Sequence, residues 1–150
     1  MSFPFLRKEK YMQINVNGKD IELNFGIRFT RELDEKYNMV VAGKKIGVGI
    51  EETIPRILIG NIQALEDVLY AATWMEKKRP TLSEMDDFMD SVEDIDNLFD
   101  EVVEELKKQN ATKKRAFNAV AGMETQEAEI NATKKKLEQT EKILKKNTKN

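Results

Sequence analysis

The sequence contains no histidine and no cysteine. Without cysteine there is no disulfide framework and no thiolate chemistry. Without histidine the commonest general base, the usual activator of a nucleophile and the best zinc ligand are missing. A hydrolase or a transition-metal enzyme would have to work with carboxylates and lysines alone, so the expectation is a non-enzymatic protein without a cofactor. Long apolar runs are lacking too. No stretch approaches the roughly 20 apolar residues of a membrane helix. Residues 1–10 hold no apolar run of signal-peptide length, and Arg7–Lys10 is charged. The expected compartment is the cytoplasm, with no membrane contact.

What is present suits one modest core and an appendage: 150 residues, 40% hydrophobic and 35% charged. The formal net charge of −2 hides a strong asymmetry. Residues 1–50 carry 9 basic and 6 acidic groups, residues 51–105 carry 4 and 16, and residues 106–150 carry 12 and 5. An acidic middle is followed by a basic tail. That pattern predicts intermolecular contacts, or a tail that folds over its own acidic face.

Patterning divides the chain into an irregular extension over 1–11, a folded domain over 12–109 and a basic, weakly helical or disordered tail over 110–150. Met12, Ile14 and Val16 alternate with polar residues, as do Ile21, Leu23 and Phe25. Asn17-Gly18 between them tolerates the positive φ of a type I′ turn, which predicts a β-hairpin with Ile14 opposite Ile21 and Met12 opposite Leu23. A lone hairpin is marginal in water, so its apolar face must pack on helices. Phe29, Leu33 and Tyr37 recur at four-residue spacing and predict a helix over 27–37. Asn38–Gly49, with three glycines, reads as a loop; Gly47-Val-Gly49 lacks the context of a nucleotide-binding fingerprint and reads as a flexible connection. A short helix is expected over 51–59, stopped by Gly60, and Asn61 can cap the next. Tyr70 and Trp74, four apart, read as core. Pro80 enforces a break, and Thr81-Leu-Ser-Glu84 is a capping-box pattern. The fold class expected is α+β, mostly helical: a hairpin packed on a helical bundle, with an extended or helical tail.

Residues 82–109 carry the strongest helical periodicity. Met85, Val92, Phe99 and Leu106 are seven apart, as are Phe88, Ile95 and Val102; Met89, Leu98 and Val103 widen the stripe. One long helix or two bent near Ser91–Asp94 would fit, and two is preferred, with Ser91 able to cap the second. A stripe this regular must be covered, by the rest of the chain or by another subunit. Eleven carboxylates lie between Glu84 and Glu105 without a single base. A calcium loop needs a tight turn and oxygen ligands at set spacings. Residues 82–109 hold no glycine and follow helical spacing, so a solvated or partner-facing helix surface is the reading.

In the tail, Met123, Ile130, Leu137 and Leu144 are seven apart, but their partner positions hold Gln126, Thr133 and Thr140. That is half a heptad seam, which predicts a nascent helix that orders on a partner. Lys113-Lys-Arg115 and Lys134-Lys-Lys136 could meet phosphates, which makes a nucleic-acid-associated regulator the alternative function. Only Phe117 is available to stack on bases, and glutamates interrupt the run, so nucleic acid is the less favoured partner.

Asn17-Gly18-Lys19, Phe25-Gly-Ile-Arg-Phe-Thr-Arg-Glu-Leu-Asp34, Ile54-Pro-Arg-Ile-Leu58, Tyr70-Ala-Ala-Thr-Trp74, Arg79-Pro80, Val92-Glu-Asp-Ile95 and Leu98-Phe-Asp-Glu-Val102 follow one another in order. Together they resemble the tail assembly chaperones of siphophages and related prophages, over roughly residues 12–110. The resemblance implies a protein that binds and solubilises the tape-measure protein and helps to recruit the major tail protein. It further implies action in the host cytoplasm and absence from the mature virion. Such families often make a longer product by ribosomal frameshifting, and this chain would be the short form. Adjacent lysines such as Lys107-Lys108, Lys113-Lys114 or Lys145-Lys146 would suit slippery codons. Coating a long rod implies a homo-oligomer that co-assembles with the longer form. On this reading Met85, Phe88, Met89, Val92, Ile95 and Phe99 are the candidate partner-binding residues, divided between core and contacts.

Overall fold

The computed structural model describes residues 11–148, so the extension expected over residues 1–11 lies, apart from Tyr11, outside the described residues. Strands β1 (Met12–Val16) and β2 (Lys19–Leu23) pair antiparallel, with Ile14 opposite Ile21 and Met12 opposite Leu23. Asn17 at φ 54° and Gly18 at φ 81° make the turn. Ile14, Val16, Ile21 and Leu23 share the inner face and are buried. Alternation and turn chemistry together fix this register, because a slip of one residue would turn the apolar face to water.

Helix α1 (Ile27–Lys36) buries Phe29 and Leu33, and Phe29 meets Phe25 edge-on at 5.1 Å. The chain then departs from the loop expected over 38–49. Asn38–Val41 and Lys44–Gly47 form a second antiparallel hairpin, β3–β4, with Met39 opposite Ile46. Its turn repeats the geometry of the first, with Ala42 at φ 51° and Gly43 at φ 75°. An alanine in the left-handed region costs about 1–2 kcal/mol, so the turn carries no recognisable sequence signal. Gly47 and Gly49 are not a flexible connection either. A Cβ at Gly47 would lie 2.3 Å from the Asp34 side chain, and one at Gly49 2.7 Å from Leu33. Both glycines let the chain pass against α1.

Helices α2 (Gly49–Leu58) and α3 (Ile62–Ala71) are separated by Gly60, at φ 88°, and by Asn61, whose side chain accepts from the Ala64 N–H at 2.9 Å. Trp74 is half-buried and donates its indole N–H to the Asn24 carbonyl at 2.9 Å. Tyr70 is not core: it is 38% exposed, and the Arg79 guanidinium stacks 4.2 Å from its ring centre. Pro80 breaks the chain before α4 (Leu82–Ser91), which opens with the reciprocal Thr81–Glu84 capping box at 3.0 and 3.1 Å. Asn17 donates to the same Glu84 at 2.9 Å, tying the first hairpin to this helix.

The chain bends at Val92–Asp94, and Asp94, not Ser91, caps α5 (Ile95–Lys108) by accepting from the Asn97 N–H at 3.0 Å. Packing continues past residue 110. Thr112 is buried and donates to the Leu106 carbonyl at 2.6 Å, and Ala116 is fully buried in the first turns of α6 (Lys113–Thr148). Among the described residues one core joins the first hairpin to helices α1–α6, through side chains such as Phe29, Ile54, Leu65, Met85, Val102 and Leu106. From Glu124 to Thr148 every residue of α6 is exposed.

Candidate functional site

The bend at Val92–Asp94 decides what the apolar stripe of residues 85–106 does. Met85 and Met89 point into the core, at 0% and 5% exposure. Phe88, Val92, Ile95 and Phe99 are half-buried at its edge. Within α5 the two seven-residue series resolve into two rows four residues apart. Leu98, Val102 and Leu106 are buried, whereas Ile95, Phe99 and Val103 keep part of their surface in solvent. The helix therefore uses one row to hold itself in the fold and presents the next.

The presented row forms one wall of a groove. Ile57, Leu58, Gly60 and Ile62, from the α2–α3 corner, face Ile95, Phe99 and Val103 across a cleft of about 510 Å³. Gly60 makes the corner sharp enough for Leu58 and Ile62 to share that wall, and they remain 43% and 40% exposed. Ile59 beside them is 74% exposed. Asp96 and Asp100, one turn apart on α5, stand at the rim, and among the described residues no basic side chain lines the groove. Apolar walls with an acidic edge suit an amphipathic helix carrying apolar anchors and flanking positive charge.

A second cleft, about 410 Å³, lies between α1, α3 and α4, where Glu32, Lys36, Glu66, Asp67 and Arg79 stand beside apolar side chains such as Leu33 and Met85. Its ions are satisfied from within. Arg79 makes a bidentate pair with Glu32 at 2.6 and 2.5 Å, and Lys36 pairs with Asp67 at 2.7 Å. Tyr37 donates to the same Asp67; burial and that bond push its phenol up to about 12. Glu66 is the exception. Burial and the neighbouring Asp86 carboxylate push it up to about 7. Among the described residues no group of three or more carboxylates is arranged to hold a metal ion.

The root of α6 is fixed by Arg115. Its guanidinium meets Asp34 at 2.9 and 3.2 Å and Glu51 at 2.7 and 2.9 Å. Asp34 also accepts from the Gly49 N–H at 2.9 Å, so one carboxylate joins α1, α2 and α6. The Arg115 hydrogen bond holds Glu51 below the usual carboxylate range. Arg115 thus has structural partners, which takes it out of the basic run considered for phosphate. Lys134, Lys135 and Lys136 stay exposed on the free part of α6.

Sequence reasoning missed two surfaces. The groove's far wall was missed because Leu58 and Ile62 belong to two separate expected helices, either side of Gly60 and Asn61, and nothing local shows that they share a face. The hairpin β3–β4 was missed altogether, although Met39, Val40, Val41 and Ile46 are all exposed on it. Its only signal was the short apolar run Met39–Val41 opposite Ile46.

A family model described as phage tail assembly chaperone protein, TAC, matches residues 13–119. Comparison with curated proteins and with solved structures gives no match. The matched span holds the groove and the Arg115 junction and ends within the packed root of α6, before its exposed part begins. It covers well over half of the sequence, and the chain belongs to the phage tail assembly chaperone family.

Proposed function

We propose that the chain binds the tape-measure protein and keeps it soluble during tail morphogenesis, by receiving one of that protein's amphipathic helices in the groove between the α2–α3 corner and α5. The supporting observation is the half-exposed row Ile95, Phe99 and Val103 facing Leu58 and Ile62 under an acidic rim. A helix laid in such a groove would anchor at positions i, i+3 or i+4, and i+7. Of the six partner-binding candidates, Ile95 and Phe99 line this groove, Phe88 and Val92 are half-buried at the edge of the core, and Met85 and Met89 are buried in it. The role is non-enzymatic and belongs to the host cytoplasm before the virion is complete. Recruitment of the major tail protein, self-association along the rod and co-assembly with a longer frameshifted form complete the reading.

The test is co-expression with a tape-measure fragment that is insoluble alone. The wild-type chain is expected to hold it in the soluble fraction. Leu58→Asp combined with Ile62→Asp, both at exposed positions, should return most of it to the pellet while leaving the chaperone's own fold intact. A fragment that stays insoluble with the wild type, or is rescued equally by the double variant, would sink the idea.

A further inference from the structure

Apart from Arg115–Glu51 and the Lys107–Glu104 and Lys108–Glu105 pairs at the junction, the two halves of the charge asymmetry do not meet among the described residues of one copy. The acidic residues of α4 and α5 face solvent, with Asp86, Asp87, Asp90, Glu93, Asp94, Asp96, Asp100, Glu101 and Glu104 all exposed. The basic tail does not fold over them. It continues α6 as an unbroken helix whose residues 124–148 make an arm about 37 Å long at 1.5 Å per residue.

That arm is not built to stand alone. Helices in proteins are held mainly by packing an apolar face rather than by propensity, and this arm packs none of its own. Ile130, Leu137 and Leu144 lie on one row of the arm and are 54%, 59% and 59% exposed. Residues 130–148 carry six lysines against Glu138 and Glu141. Lys134 is one turn beyond Ile130, and Lys145 follows Leu144, so both flank the row. The arm has the chemistry that the groove requires: apolar anchors edged with positive charge.

We infer that the basic end of α6 from a second copy of this chain docks on the acidic groove formed by Ile95, Asp96, Phe99, Asp100 and Val103 with the α2–α3 corner. Ile130, Leu137 and Leu144 supply the apolar contact, and the lysines meet the carboxylates of α5. The inference gives the self-association in the function above a specific contact. It also makes the arm and a tape-measure helix competitors for one groove, so that a client helix displaces a neighbouring copy.

Sedimentation of the full-length chain, with no tape-measure fragment present, tests this separately from client binding. The wild type should associate at about 0.05 M salt and weaken at least about tenfold at about 0.5 M, where the shorter Debye length screens the ion pairs. Asp96→Lys with Asp100→Lys should be monomeric under both conditions. So should Lys134→Glu with Lys145→Glu. All four residues are exposed, so both double variants should keep the wild-type melting temperature. Mixing the two should restore association, because each reversed surface then finds its complement. A wild type that stays monomeric at low salt overturns the inference. So does association that survives reversal of the groove, which is the result expected if arms pair only with arms, and so does a mixture that stays monomeric.

Discussion

Helices α5 and α6 follow one another in the chain and differ in how their apolar residues are used. In α5 the apolar residues recur at three and four, which gives two adjacent rows: Leu98, Val102 and Leu106 go to the core, and Ile95, Phe99 and Val103 to the groove. In the arm Ile130, Leu137 and Leu144 recur at seven, which gives one row that only Ile143 widens, at its end. A fully buried Leu or Val side chain contributes about 1.5–3 kcal/mol. The first helix is therefore held by its own chain, whereas the arm is left for another. Between them stands the packed root of α6, fixed by Arg115 through its contacts with Asp34 and Glu51.

Three substitutions sharpen that difference. The largest effect is expected at Leu106, fully buried in the core. Leu106→Ala should lower unfolding stability by about 2–5 kcal/mol in a denaturant titration, through lost burial and the cavity left behind. A loss below about 1 kcal/mol would mean that α5 is not part of the cooperative body.

Glu66 comes next, as a test of the body's inner electrostatics. Its folded pKa, about 7, lies above its ordinary value of 4.5. A raised pKa means that the folded state holds the proton more tightly. The associated stability is full below about pH 4.5 and is lost as pH rises through about 7. Glu66→Gln should therefore gain stability over the wild type at pH 8 and none at pH 4. Solvent screening at this half-exposed site limits the gain to about 1 kcal/mol. Parallel stability–pH curves for the two proteins would count against the Glu66–Asp86 pairing.

The smallest effect is expected in the arm. Leu137 is 59% exposed on α6, so Leu137→Ala should change the monomer's stability by less than about 0.5 kcal/mol, even though the residue type is the same as at Leu106 on α5. A loss of 2 kcal/mol or more in a dilute, high-salt sample would show that the arm belongs to the body.

Much of this architecture was legible in the residues. Asn17-Gly18 between alternating strands set the first hairpin and its register. Gly60, Asn61 and the Thr81–Glu84 box marked helix ends, because capping chemistry is local and acts through the two or three nearest backbone groups. The second hairpin was not legible, since Ala42 carries the strained turn conformation without the usual residue type. Nor was the purpose of Gly47 and Gly49, whose lack of a side chain matters only against Asp34 and Leu33, a helix away. The cap at Asp94 was missed in favour of Ser91, three residues earlier, because both carry a suitable oxygen and only the position of the bend separates them.

The candidate site was half legible. The periodicity of residues 85–106 identified the right region but could not say which residues face inward. Met85 and Phe99 belong to the same seven-residue series, yet one is fully buried and the other lines the groove. The reason is the bend at Val92–Asp94, which rotates α5 relative to α4, and the α2–α3 corner, which supplies the opposite wall from more than thirty residues away in the chain. The sequence alone determined what depends on neighbours along the chain: the absence of histidine and cysteine chemistry, the first hairpin, most helix ends and the opposed charges of middle and tail. The tertiary structure decided what depends on neighbours in space. It chose which row of an amphipathic helix is core, gave Arg115 to Asp34 and Glu51, and left the basic arm clear of its own acidic face.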